Sequence, residues 1–170
     1  MSKDEVILYA TPTGAFADAC DRYWATLDRL ESSTTAQTYP PHCTLTGFFR
    51  RKPADIRRVV GEVAAVSEAT GALTVSAARL ERRDDWVGFV LQSRSFEAAI
   101  QGFVSGHIVE DGDDALRPKT WLHLSLSYGD GADPDLHLAQ AAHIFNGVKP
   151  GPWSLGLWRR RNGAWSQCPP

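Results

Sequence analysis

The chain has 170 residues, of which 43% are hydrophobic and 22% charged, the composition of an ordinary globular protein with enough apolar material for one domain with its own core. Its 18 Lys and Arg against 20 Asp and Glu leave a formal net charge of -2, which excludes a protein that coats long nucleic acid through bulk electrostatics. No apolar run approaches the roughly 20 residues needed to span a bilayer, and the opening Met1-Ser2-Lys3-Asp4-Glu5 is too acidic for a signal peptide, so the expectation is a cytoplasmic monomer with no membrane partner.

Residues 5–10 (EVILYA) are apolar, rich in strand formers and ended by Thr11-Pro12, which predicts a short buried strand. A helix follows over 15–30, with Phe16, Ala19, Tyr23, Leu27 and Leu30 recurring at spacings of three and four. Ser32 to Thr38 is small and polar, hence a loop. Pro40-Pro41 forces extended backbone and releases a strand over 42–49. Pro53 suits the first turn of a second helix that buries Ile56, Val59, Val60, Val63 and Val66 and ends at Thr70-Gly71. Residues 72–80 and 86–92 read as strands joined by the charged turn 81–85. A third helix near 95–108 has Phe96, Ile100, Phe103 and Val104 in register, and the acidic stretch 110–114 is a loop.

The next strand covers 120–128 (TWLHLSLSY) and closes at Gly129-Asp130-Gly131. Asp133 can cap a fourth helix from Pro134 to about Phe145. The tail reads as a hairpin of 153–161 and 164–168 turning at Asn162-Gly163, a strong short hairpin signal. The order βαβα–ββ–αβα–ββ predicts a single α+β domain over 1–170 with two lobes.

Cys20, Cys43 and Cys168 form no CxxC and no zinc quartet, so free thiols are expected and no metal or cofactor. The basic clusters Arg50-Arg51-Lys52, Arg57-Arg58, Arg82-Arg83 and Arg159-Arg160-Arg161 read mostly as solvated faces. His107, near a helix end, and His137 and His143, on the fourth helix, read as surface or interface residues.

Two strands share an unusual order. His42-Cys43-Thr44-Leu45-Thr46-Gly47 and His123-Leu124-Ser125-Leu126-Ser127-Tyr128 both run His-x-Ser/Thr-x-Ser/Thr. With side chains alternating at period two, each strand has an oily face and a face of imidazole and hydroxyls. One such strand carries little information; a matched pair carries more. Opening a phosphodiester needs a base for the nucleophile and an acid for the departing alkoxide, and histidine can do either near neutrality. The hydroxyls two residues on can donate hydrogen bonds to non-bridging phosphate oxygens.

The segments PHCTLTGFF (41–49) and LHLSLSYG (122–129) resemble the paired motifs of the two-histidine (2H) phosphoesterase superfamily, which includes cyclic nucleotide phosphodiesterases and the 2′-5′ RNA ligase-like proteins. The resemblance extends over nearly the whole chain. It implies a bilobal α+β fold of two antiparallel-rich sheets flanked by helices, with one motif strand per lobe facing a central cleft. It also implies metal-independent action on 2′,3′-cyclic phosphates, 1″,2″-cyclic ADP-ribose phosphates or oligonucleotide 2′-5′ linkages. His42 and His123 would then be the acid–base pair, and Thr44 and Ser125 the phosphate-binding hydroxyls. For a cyclic phosphate opened to a 2′-phosphate, His42 is expected as acid and His123 as base.

Tyr39, Trp121 and Tyr128 are candidates for stacking a base, with Phe48 more suited to the core. Lys119 and Arg117 precede the second motif strand, where a loop can overhang the cleft. The partner expected is a small nucleotide or an oligonucleotide phosphodiester. The alternative is a nucleotide- or RNA-end-binding module with little or no turnover. A serine or cysteine hydrolase lacks its G-x-S-x-G elbow, and P-loop and Rossmann signatures are absent.

Overall fold

A computed structural model of the chain describes residues 3–110, 112–129, 133–161 and 163–169. The chain is α+β, with eight antiparallel strands and four α-helices among the described residues. In chain order these are β1 (Asp4–Pro12), α1 (Gly14–Arg29), β2 (Cys43–Thr44), β3 (Phe49–Arg51), α2 (Ile56–Thr70), β4 (Ala77–Arg83), β5 (Trp86–Gln92), α3 (Arg94–Gly106), β6 (His123–Ser127), α4 (Pro134–Ile144), β7 (Trp153–Arg161) and β8 (Ala164–Gln167). The expectation of two sheets is corrected. One sheet runs β4-β5-β6-β2-β1-β7-β8, with β3 also paired to β1. The strands of the two motifs pair directly, Cys43 with Leu124, and that pairing fuses what would otherwise be two separate sheets.

The alternation along β1 explains how the sheet is used. Val6, Leu8 and Ala10 are fully buried in a core shared with Cys43, Leu45, Leu124, Leu126 and Leu157. The same core takes Phe16, Ala19 and Tyr23 of α1, Val59 and Val63 of α2, Phe96 and Phe103 of α3 and Ala141 of α4. The helices therefore share one core with one face of the sheet, and each large apolar side chain buried there stabilises the fold by about 1.5–3 kcal/mol. Ile7 and Tyr9 point to the other face of β1 and line a cleft.

Local chemistry sets the helix ends. The Ser93 hydroxyl accepts the Phe96 N–H at 3.0 Å at the start of α3. Asp133 accepts the N–H groups of Asp135 and Leu136 ahead of Pro134 at the start of α4. At the tail, β7 and β8 pair from Trp158 with Gln167 to Arg161 with Ala164. Asn162 of the expected hairpin turn lies outside the described residues, as do Asp130, Gly131 and Asp111 of the expected loops.

Four readings of the sequence need correction. The strand expected over 42–49 is broken into β2 and β3, because four residues, 45–48, stand against only Ile7 and Leu8 of β1: Leu45 N–H still donates to Leu8 C=O at 3.0 Å, but the Thr46 hydroxyl takes the Leu8 N–H. Gly47 N–H donates to Arg117 C=O at 2.7 Å and Lys119 N–H to Leu45 C=O at 2.9 Å. The strand expected at 72–80 begins only at Ala77, and Leu73 ahead of it makes an isolated antiparallel bridge to Trp153 instead. Val104, placed in the α3 stripe, is exposed.

Finally, Arg51, His107 and His137 are buried rather than solvated. Arg51 donates to His107 Nε2 from Nε and Nη2 at 3.0 and 2.7 Å and faces Asp113, while His107 Nδ1 bonds Glu62. Burial of these groups is tolerated because each finds a partner distant in sequence. His137 Nε2 bonds the Ser32 hydroxyl at 2.8 Å. No helix among the described residues is long and apolar enough to cross a membrane.

Candidate active site

β2 and β6 are antiparallel with Cys43 opposite Leu124, and both side chains are fully buried in the core. The residues on either side of them must point to the other face of the sheet. Continuing the register by one residue each way sets His42 opposite Ser125 and Thr44 opposite His123. Side chains directly opposite in such a ladder have Cβ atoms about 5 Å apart, and diagonal ones about 7–8 Å. The two imidazoles thus occupy one diagonal of a four-residue array and the two hydroxyls the other. All four line one cleft of about 470 Å³, within the ~300–1,000 Å³ usual for small-molecule sites.

The two histidines are held alike. His42 Nδ1 lies 2.7 Å from the Pro40 carbonyl oxygen, and His123 Nδ1 lies 3.1 Å from that of Trp121. A carbonyl only accepts, so Nδ1–H donates in both rings and Nε2 is the nitrogen that can take or give a proton. Each ring also lies against an aromatic face. Tyr9 stacks on His42 with centroids 3.9 Å apart, and Trp121 on His123 at 3.8 Å. Burial pushes His42 down to about 4, opposed by the bond to Pro40 and reinforced by the charge of His123. His123 is also held below its ordinary value, first by burial and then by the nearby Lys119 and Arg83 cations, with the bond to Trp121 acting the other way.

The hydroxyls differ from each other. Ser125 Oγ accepts the indole N–H of Trp86 at 2.8 Å. The Thr44 hydroxyl has no such partner among the described residues. Cations come from the segment paired with 45–47. Arg117 and Lys119 both line the cleft, and Arg117 Nη2 donates to the Phe48 carbonyl at 2.9 Å. Gly47 lets Arg117 lie close, since a Cβ there would sit 3.1 Å from its Nε. Among the lining residues none is Asp or Glu. The cleft therefore favours an anion.

Of the aromatic candidates, Tyr39 and Tyr128 line the cleft, and Tyr39 meets His42 edge-on at 6.1 Å. Trp121 is placed against the His123 ring, with Arg83 lying 5.0 Å from the indole centroid. Phe48, expected in the core, is instead exposed at the cleft, stacked on Trp165 at 5.2 Å. Thr46 and Ser127, which strict alternation puts beside the histidines, are both fully buried. Thr46 accepts the Leu8 N–H at 3.2 Å where the chain leaves β2. Near Ser127 the register of β5 on β6 slips between Val87 and Gly88.

No pattern in the sequence singles out Tyr9, Trp86 or Trp165 for the site. They reach it from β1, β5 and β8, and only the strand pairing reveals them. All three cysteines are free and buried, and Cys43 lies on the core face, away from His42. Among the described residues there is no group of three or more His, Cys, Asp or Glu side chains placed to hold a metal ion.

No family model matches the chain. The chain is similar to the ecdysteroid-phosphate phosphatase of Drosophila melanogaster, 32% identical over 77 residues. That match covers 45% of this chain and 10% of the fly protein, so the chain corresponds to a small part of that relative's length.

Proposed function

We propose that the protein is a metal-independent phosphodiesterase of the two-histidine type, acting on a 2′,3′-cyclic phosphate or a related nucleotide or RNA 2′-5′ linkage, with His42 and His123 as the acid–base pair. The observation that carries this reading is the array in which two imidazoles and two hydroxyls alternate around one cleft that has two cations and no carboxylate in its lining. The similarity to a protein named as a phosphatase supports the phosphoester as the class of bond.

In this reading the phosphate sits over the array. Thr44, Ser125, Lys119 and Arg117 bind its non-bridging oxygens and offset the charge that grows on them. His42 is the base, because burial keeps its Nε2 lone pair available through the neutral range. It takes the proton of the attacking water as the new P–O bond forms. His123 is the acid. A bound phosphate anion raises its affinity for a proton, and it gives that proton to the ribose oxygen as the old P–O bond breaks. These roles reverse those expected from the sequence, and the deeper burial of His42 is the reason. Tyr39, Tyr128 and the Phe48–Trp165 stack offer faces for a base, each worth about 1–3 kcal/mol when used.

The test is turnover of a 2′,3′-cyclic nucleotide across pH in the presence of EDTA. The expected result is retained activity and a rise and fall of kcat/KM with pH, the two limbs belonging to the pair jointly. Activity lost to EDTA and restored by a divalent ion would overturn the mechanism. Tight nucleotide binding with no turnover would make the protein a binding module instead.

A further inference from the structure

The two halves of the array are not equivalent, and the difference is Trp86. Its indole N–H donates to Ser125 Oγ at 2.8 Å. Its ring meets the His123 imidazole edge-on at 5.7 Å and 78°. It also packs at 5.4 Å on Trp121, the ring stacked on His123. One side chain from β5 thus touches the hydroxyl, the imidazole and the aromatic support of the second motif.

This contact is built into the sheet. A Cβ on Gly88 would lie 2.5 Å from Trp86 Cζ2 and would collide with the Leu124 carbonyl oxygen, so only glycine at 88 leaves the indole its place. The register slip between Val87 and Gly88 falls at the same point. A slip of this kind re-aims the side chains beside it.

A serine hydroxyl has one hydrogen to donate and two lone pairs. With one lone pair taken by an N–H, the hydroxyl hydrogen turns away from the indole. For Ser125, which lines the cleft, that leaves the cleft as the direction in which it donates. Thr44 on the opposite corner has no comparable partner among the described residues.

We propose that Trp86 is a positioning residue for the hydrolysis, orienting the Ser125 O–H toward the phosphate and bracing His123 against Trp121. This inference rests on the proposed phosphodiesterase reading. It makes the second motif a preset donor, whose cost of ordering is met before the substrate arrives. The first motif orders its hydroxyl only on binding.

The experiment is a double-mutant cycle of Trp86→Phe and Ser125→Ala, read on kcat and KM for a 2′,3′-cyclic nucleotide. Phenylalanine keeps an aromatic ring beside His123 and removes the N–H, with some loss of ring area that the cycle separates out. W86F alone is expected to lower kcat by about three- to tenfold, the loss of one orienting hydrogen bond, with KM little changed. In the S125A background the same substitution is expected to have no further effect on kcat. Equal effects of W86F with and without Ser125 would overturn the proposal, because a general loss of packing adds to S125A whereas an effect through the hydroxyl cannot. If the wild-type protein does not turn over the substrate, the phosphodiesterase reading fails. The same cycle is then read on calorimetric binding of a uridine–vanadate complex, whose five-coordinate centre mimics the transition state that a kcat effect acts on. Coupling there upholds the orienting role of Trp86, and additivity rejects it.

Discussion

Tyr9 lies face to face with His42, the ring centroids 3.9 Å apart and the planes 24° from parallel. Tyr9 itself is 2% exposed, so the imidazole has a dry wall on that side. Burial of the ring, to which this contact contributes, outweighs the bond from Nδ1 to Pro40, so the imidazole is poor at holding a proton in the free protein. Removing the wall should readmit water. In an NMR titration of the His42 ring, the midpoint is expected near 4 in the wild type and raised toward 6.5 in Tyr9→Ala. Tyr9→Phe, which keeps the stack, should leave it low. An unchanged midpoint in Tyr9→Ala would mean that the stack does not control the ring's hydration.

The stability of the protein should follow the same histidine. His42 takes up its proton near 6.5 when unfolded and near 4 when folded. Between those values the unfolded chain binds more protons, so stability rises with pH and is lost as pH falls from 6.5 to 4. At ~1.4 kcal/mol per pH unit the loss from His42 alone is roughly 3 kcal/mol. His107, His123 and His137 are all shifted in the same direction by burial and steepen the effect. Melting temperatures measured from pH 7 to 4 should fall well before the carboxylates titrate, and less steeply in a folded His42→Gln variant.

His42→Ala and His123→Ala should each lower kcat for a cyclic nucleotide by roughly 10²–10⁴, the usual worth of one general acid or base. Thr44→Ala and Ser125→Ala should cost less, since each removes one of several phosphate contacts. Lys119→Ala should act mainly on KM and flatten its salt dependence. Near-normal turnover by either histidine variant with its fold intact would reject the pair.

Gly88→Ala should damage both fold and site. The added methyl meets the Leu124 carbonyl and the Trp86 ring, and overpacking of this kind costs about 1–3 kcal/mol. Denaturant unfolding should show that loss, and Trp86 fluorescence should change as the indole is displaced. A variant as stable as the wild type would mean that β5 and β6 can separate at no cost there.

The period-two phase of the two motif strands is readable from the residues, because alternation is a local property. So are three of the four helices, from their apolar stripes, and the fourth from its cap Asp133 and the Pro134 that follows it. What the residues do not reveal is pairing at a distance. Nothing near residue 42 says that Tyr9 will lie on its ring, and nothing near residue 125 points to Trp86. Arg51 looks solvated in sequence because Arg50 and Lys52 flank it, and His107 because it lies near a helix end. Their burial depends on Glu62 and Asp113, which only the fold supplies. The break in the strand at 45–47 has the same origin, since there the Thr46 side chain rather than a backbone carbonyl meets the Leu8 N–H of β1.

The pairing of Cys43 with Leu124 has one more consequence. Among the described residues it is the only register pair between β2 and β6, and together with the short ladder of 45–47 on 117–119 it forms a seam across the middle of the sheet. His42 lies on one side of that seam and His123 on the other. A ligand gripped by both imidazoles therefore acts as a staple across the narrowest hydrogen-bonded join in the sheet. Filling the cleft would thus add to the cohesion of the whole molecule, by an amount that grows with the logarithm of ligand concentration above Kd.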